Sequence, residues 1–61
     1  MYYIQVEELL WFKSEGTTNE EGETPFSLCL SQSQAKGFET RGEAEEVNDR
    51  FALNGEITEV L

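Results

Sequence analysis

Sixty-one residues carrying thirteen acidic side chains, four basic ones and no histidine have a formal net charge of −9. A chain this short makes one domain with a thin core, and a charge this negative repels nucleic acid and anionic membrane and opposes compaction through self-repulsion. Cys29 is the only cysteine, which excludes an internal disulfide and points to a reducing compartment.

No apolar run is long enough to span a bilayer, and the start Met1-Tyr2-Tyr3-Ile4-Gln5 lacks the basic region of a signal peptide. A cytoplasmic location is therefore expected. Disorder is the competing reading at such a net charge. Seven aromatics (Tyr2, Tyr3, Trp11, Phe12, Phe26, Phe38 and Phe51) at positions suited to strands and one helix favour a folded domain spanning residues 1–61.

Residues 1–12 alternate as a strand. Tyr2, Ile4, Val6, Leu10 and Phe12 share one phase, and Tyr3, Gln5, Glu7, Leu9 and Trp11 share the other. Glu8 breaks the first set, which predicts a bulge or bend at Glu7-Glu8. Residues 13–24 are polar and rich in turn formers, with Gly16 and Gly22 free to take positive φ, and read as a flexible hairpin loop. The loop is longer than the usual hairpin connection. Residues 25–31 form the second strand, with Phe26, Leu28 and Leu30 on one face and Ser27, Cys29 and Ser31 on the other. Pro25 sits at its first position, where a missing N–H costs least. Residues 32–37 connect onward, with Ala35 and then Phe38 as anchors to the core.

Thr40-Arg41-Gly42-Glu43 matches a capping box, so a helix starts there. Leu53-Asn54-Gly55 supplies the stop, with Gly55 suited to a left-handed cap position. Ala44, Val47 and Phe51 make one stripe, and Glu45, Glu46 and Asp49 face the opposite way. Residues 57–61 close the chain as a short strand. The expected architecture is α+β: a three-stranded, mainly antiparallel sheet (ββαβ, order 2-1-3) with one helix on one face. A right-handed crossover would lay the last strand parallel to the second and beside the first.

Catalysis has little to work with, because there is no histidine and Cys29 has no base or basic activator near it in sequence. No catalytic residue and no cofactor is expected. Glu20, Glu21 and Glu23 cluster in the loop but lack the alternating Asp/Asn ligands and terminal bidentate Glu of a calcium loop, so no metal site is expected either. Two surfaces remain as candidates. Tyr3 and Trp11, on the sheet face away from the helix, would make an aromatic patch of the kind found at interfaces. The alternative places Trp11 past a bulge and turned into the core. The acids gather in three sets: Glu45, Glu46 and Asp49 on the helix; Glu20, Glu21 and Glu23 in the loop; and Glu7, Glu8, Glu56 and Glu59 if the last strand pairs with the first. Carboxylates at phosphate-like density compete for a basic groove that normally binds nucleic acid, a complex favoured by counterion release.

Residues 35–45, Ala35-Lys36-Gly37-Phe38-Glu39-Thr40-Arg41-Gly42-Glu43-Ala44-Glu45, resemble a pattern in small phage and prophage proteins. In these a hairpin leads through an Ala-x-x-Phe turn into a Thr-capped helix containing Glu-Ala, followed by a final strand. The resemblance covers about half the chain, and Gly42 departs from the acidic or helix-favouring residue usual in the first turn. It implies a phage-encoded protein. Members with known roles commonly bind and inhibit a host protein, including CRISPR effectors, restriction or repair nucleases and polymerase.

The expected function is a non-catalytic inhibitor that binds the basic surface of a host nucleic-acid-handling protein through Glu20, Glu21, Glu23, Glu45, Glu46 and Asp49. It would contact neither nucleic acid nor membrane directly. The alternative is an interaction module, a homodimer or an adaptor, that works through Tyr3, Leu9 and Trp11.

Overall fold

The acidic pair that interrupts the first apolar alternation is where the chain reverses. In the computed structural model, which describes residues 1–61, Glu7 takes φ 61° and opens a tight turn over Glu7, Glu8 and Leu9. The turn joins β1 (Tyr2–Val6) to β2 (Leu10–Glu15). Gln5 supports it by donating from Nε2 to the Glu8 carbonyl at 2.8 Å. β3 (Phe26–Cys29), a 3-10 turn at Gln32–Gln34, α1 (Arg41–Arg50) and β4 (Glu56–Glu59) follow.

The sheet therefore has four strands where three were expected, in the order β3-β2-β1-β4. Every neighbouring pair is antiparallel, so β4 runs opposite to β3 and the expected parallel crossover does not occur. The physical reason is the early reversal. Folding residues 1–12 into a hairpin inserts a strand between β3 and β1, and the return from α1 then meets β1 antiparallel.

Register keeps the apolar phases intact across this reversal. Gln5 pairs with Trp11 and Val6 with Leu10, which puts Ile4 and Phe12 on the same side. Between Phe12 and Ser14 the β2–β3 ladder is irregular, and Lys13 is the extra residue. Beyond that bulge Glu15 pairs with Phe26. Residues 36–38 run between the diverging ends of β1 and β2. Lys36 donates its N–H to the Phe12 carbonyl at 3.1 Å, and Tyr2 and Phe38 exchange two backbone bonds of 2.8 Å.

The core is thin. Ile4, Phe12, Phe38, Ala44 and Val47 are its buried members, with Tyr2, Val6, Phe51, Leu53 and Ile57 packed around them. Phe12 sits at its centre, with ring centroids of Phe51, Phe38 and Phe26 at 5.9, 6.2 and 6.4 Å. α1 presents Ala44 and Val47 to this cluster and covers β1 and β4. No helix is long and apolar enough to cross a membrane.

At the start of α1 the Thr40 hydroxyl accepts from the Glu43 N–H at 3.2 Å, while the reciprocal bond of a full capping box is not made. The C-terminal end differs from expectation. Ala52, not Gly55, takes the left-handed position, with φ 51°. The Ala52 N–H bonds to the Asp49 carbonyl at 3.2 Å and the Leu53 N–H to the Asn48 carbonyl at 3.0 Å, which is the Schellman pattern. A side chain in that region is strained by about 1–2 kcal/mol. Ala52 is exposed, so its methyl contributes little packing. Ala52→Gly should therefore raise stability by about 0.5–1 kcal/mol after the glycine's greater unfolded-state entropy is subtracted. The check is a higher urea midpoint at unchanged slope, and a lower midpoint would contradict the cap assignment.

Candidate interaction surface

Because Ala44 and Val47 turn inward, the other side of α1 carries Glu45, Glu46 and Asp49 into solvent. Glu45 is met by Arg41 Nε at 3.1 Å and Glu46 by Arg50 Nε at 3.2 Å, whereas Asp49 has no cation partner. Arg50 also forks onto Glu15, Nη1 to Oε2 and Nη2 to Oε1, each at 2.9 Å, and lies 4.8 Å from the Phe51 ring centroid. The Arg50 hydrogen bond holds the Glu15 carboxyl below its usual range, helped by the charges of Arg50 and Lys36 and opposed by partial desolvation. The same bond to Glu15 raises the Arg50 pKa. Exposed pairs of this kind contribute little stability. Their consequence is geometric: the bidentate fork ties the base of the long hairpin to the last turn of α1. The sequence signalled Arg50–Glu46, four residues apart, but not Arg50–Glu15. Glu15 reaches Arg50 only because the Lys13 bulge resets the side-chain phase of β2.

Between β2 and β3 the chain is hydrogen-bonded through to its tip. The Gly16 N–H reaches the Pro25 carbonyl at 2.7 Å, the Thr18 and Thr24 hydroxyls lie 2.6 Å apart, and the Asn19 N–H meets the Glu23 carbonyl at 2.8 Å. Asn19 Oδ1 accepts from the N–H groups of Glu21 and Glu23 at 3.0 and 2.9 Å, and Gly22 at φ 84° completes the turn. Glu20, Glu21 and Glu23 thus radiate from a small turn organised by Asn19. No group of three acids, cysteines or histidines in the molecule is placed to hold a metal ion.

The third acidic set divides. Glu7, Glu8 and Glu56 line a shallow recess of about 400 Å³ with Gln5 and Asn54, while Glu59 sits opposite Tyr2 at the other end of β4. Tyr3 and Trp11 lie on the sheet face away from α1, half-buried against each other, with ring centroids 6.3 Å apart at 88°. Trp11 is not turned into the core. Leu9 does not join this aromatic pair, because it sits in the β1–β2 turn and is 71% exposed. Cys29 pairs with Trp11 across the ladder, and its thiol donates to the Ser31 carbonyl at 3.2 Å.

All thirteen carboxylates are exposed, and only Glu15, Glu45 and Glu46 meet a cation, which leaves ten without one. These elements define a small α+β domain built from one antiparallel sheet and one covering helix. No protein-family model matches the chain, and no curated protein or solved structure is significantly similar to it.

Proposed function

We propose that this chain is a phage-encoded, non-catalytic binding protein whose carboxylates occupy the basic surface of a host nucleic-acid-handling protein. The observation that carries the reading is charge per length. A net charge of −9 on a molecule 38 Å long is about one net charge per 4 Å, against roughly 3.4 Å per phosphate along one DNA strand and roughly 1.7 Å per phosphate along the duplex axis. The Glu15–Arg50 fork supports it further, because it ties the base of the hairpin that bears Glu20, Glu21 and Glu23 to the last turn of the helix that bears Glu45, Glu46 and Asp49. The aromatic pair is the weaker candidate, since Tyr3 and Trp11 are both partly withdrawn from solvent.

The test is capture from bacterial lysate across a salt series, followed by displacement with duplex DNA. Affinity for the captured protein should fall about a hundredfold or more between about 50 and 200 mM salt. Duplex DNA should release it, and reversing Glu45 and Asp49 to lysine should weaken capture about tenfold or more. A salt-insensitive complex, or a captured protein that holds DNA and this chain together, would overturn the proposal.

A further inference from the structure

Leu9 and Leu30, 71% and 76% exposed, are two of the six large apolar side chains that the fold leaves exposed. They stand together. One step beyond the Trp11–Cys29 pair, the β2–β3 register brings Leu30 beside Leu10. Leu9, Leu10 and Leu30 then line a recess of about 450 Å³ whose remaining wall is Glu7 and Glu8. Neither carboxylate meets a cation within the chain. α1 packs on β1 and β4, at the far side of the sheet, and leaves this corner uncovered. Glu7 and Glu8 also line the neighbouring recess with Glu56, so the acidic rim continues around the turn.

We infer that this corner is a docking point for a short cationic segment of a partner protein, one that presents a leucine-like side chain flanked by lysine or arginine. Charge complementarity selects that occupant. A second copy of this chain would bring another Glu7-Glu8 pair onto the first and join two molecules of charge −9, and an anionic lipid surface would be repelled in the same way. A cationic segment gains from both parts of the site. Its apolar side chain covers the three leucines, and its charges face a rim that no internal cation neutralises. The inference rests on the proposed basic partner and adds to it a local anchor whose apolar part is less sensitive to salt than its acidic rim.

The probe is a short peptide, capped at both ends, with two leucines flanked by lysines and arginines, titrated into the isotope-labelled chain and followed by NMR. The expected result is that the methyl signals of Leu9, Leu10 and Leu30 shift together. Replacing the peptide leucines by alanine should weaken binding about tenfold for each leucine. Leu9→Ser and Leu30→Ser, whose side chains are too exposed to matter for folding, should each weaken binding similarly, while their far-ultraviolet circular dichroism stays that of the parent. Shifts confined to the signals of Glu20, Glu21, Glu23, Glu45, Glu46 and Asp49, or leucine variants that bind as the parent does, would overturn the docking point while leaving the acidic-surface reading in place. Loss of binding in the leucine variants, with parent-like binding when Glu45 and Asp49 are reversed, would uphold the docking point as a site separate from the helix acids.

Discussion

Phe12→Ala should lower the thermal midpoint of the domain far more than any surface substitution does. Phe12 is fully buried, and its ring lies among those of Phe26, Phe38 and Phe51. Truncating such a side chain costs about 3–5 kcal/mol, from lost transfer energy and from the cavity left behind. Typical stabilities of 0.05–0.15 kcal/mol per residue put the whole domain at only about 3–9 kcal/mol. One substitution therefore removes a third or more of what holds the fold together. The neighbouring Trp11→Ala is the matched comparison. Trp11 is half-buried on the opposite face and packs edge-on to Tyr3, so its loss should cost about 1–2 kcal/mol and leave a clear transition. Thermal melts of the two variants check the register directly, because slipping β2 by one residue would exchange their burial. If Trp11→Ala proved the more damaging change, the assignment of faces would be wrong.

The two apolar phases of residues 1–12 were legible in the sequence, but the strand count was not, and neither was the side taken by Trp11, which a bulge at Glu7-Glu8 would have turned into the core. Around the Glu7-Glu8-Leu9 turn, Gln5 meets Trp11 and Val6 meets Leu10, so even-numbered residues face even-numbered ones. Ile4 and Phe12 keep one phase whether the chain runs straight on or turns back. Alternation alone reports the phase and not the reversal, and two glutamates at the break fit a bulge as well as a turn. The start of α1 was also legible, because Thr40 and the Ala44/Val47 stripe are local signals. Its end was misread because Gly55 is the expected left-handed residue, whereas here Ala52 takes that strain. The Glu15–Arg50 fork joins residues 35 apart in the chain and depends on the bulge at Lys13, and the exposed leucine corner depends on β3 lying beside the β1–β2 turn. Neither leaves a local trace.

The charge is distributed in a way composition could not show. Arg41 and Arg50 neutralise acids locally, on and beside α1, and Lys36 lies 5.7 Å from the Phe38 ring centroid. The hairpin tip and the Glu7-Glu8 turn receive no cation at all. Those two sites, at opposite ends of β2, hold five of the ten carboxylates that meet no cation, and only the turn adds apolar side chains to them.

Gly55→Ala should destabilise the domain by about 1–3 kcal/mol, through crowding and not through backbone conformation. Gly55 lies outside the left-handed region, so an alanine has no φ penalty there. Its Cβ would stand 2.7 Å from Ile4 Cγ2, 2.9 Å from the Gln5 carbonyl oxygen and 3.3 Å from Asn48 Oδ1. Ile4 is fully buried and has nowhere to move, and Gln5 is paired with Glu56 in the β1–β4 ladder. The same methyl presses on the clamp in which Asn48 donates to the Gly55 carbonyl at 3.1 Å and accepts from its N–H at 2.9 Å. Relief requires β4 to lift from β1 or Asn48 to release the chain after the helix, and either loosens the closure of the sheet. Gly42→Ala sets the contrast. Gly42 lies in the first turn of α1 with nothing within 4 Å of an added Cβ, so the same methyl should stabilise there by about 0.5–1 kcal/mol through helix propensity. Urea titrations should move the two midpoints in opposite directions. Equal shifts would mean that glycine enters both positions for backbone freedom alone, and the close packing of Gly55 against Ile4 would have to be abandoned.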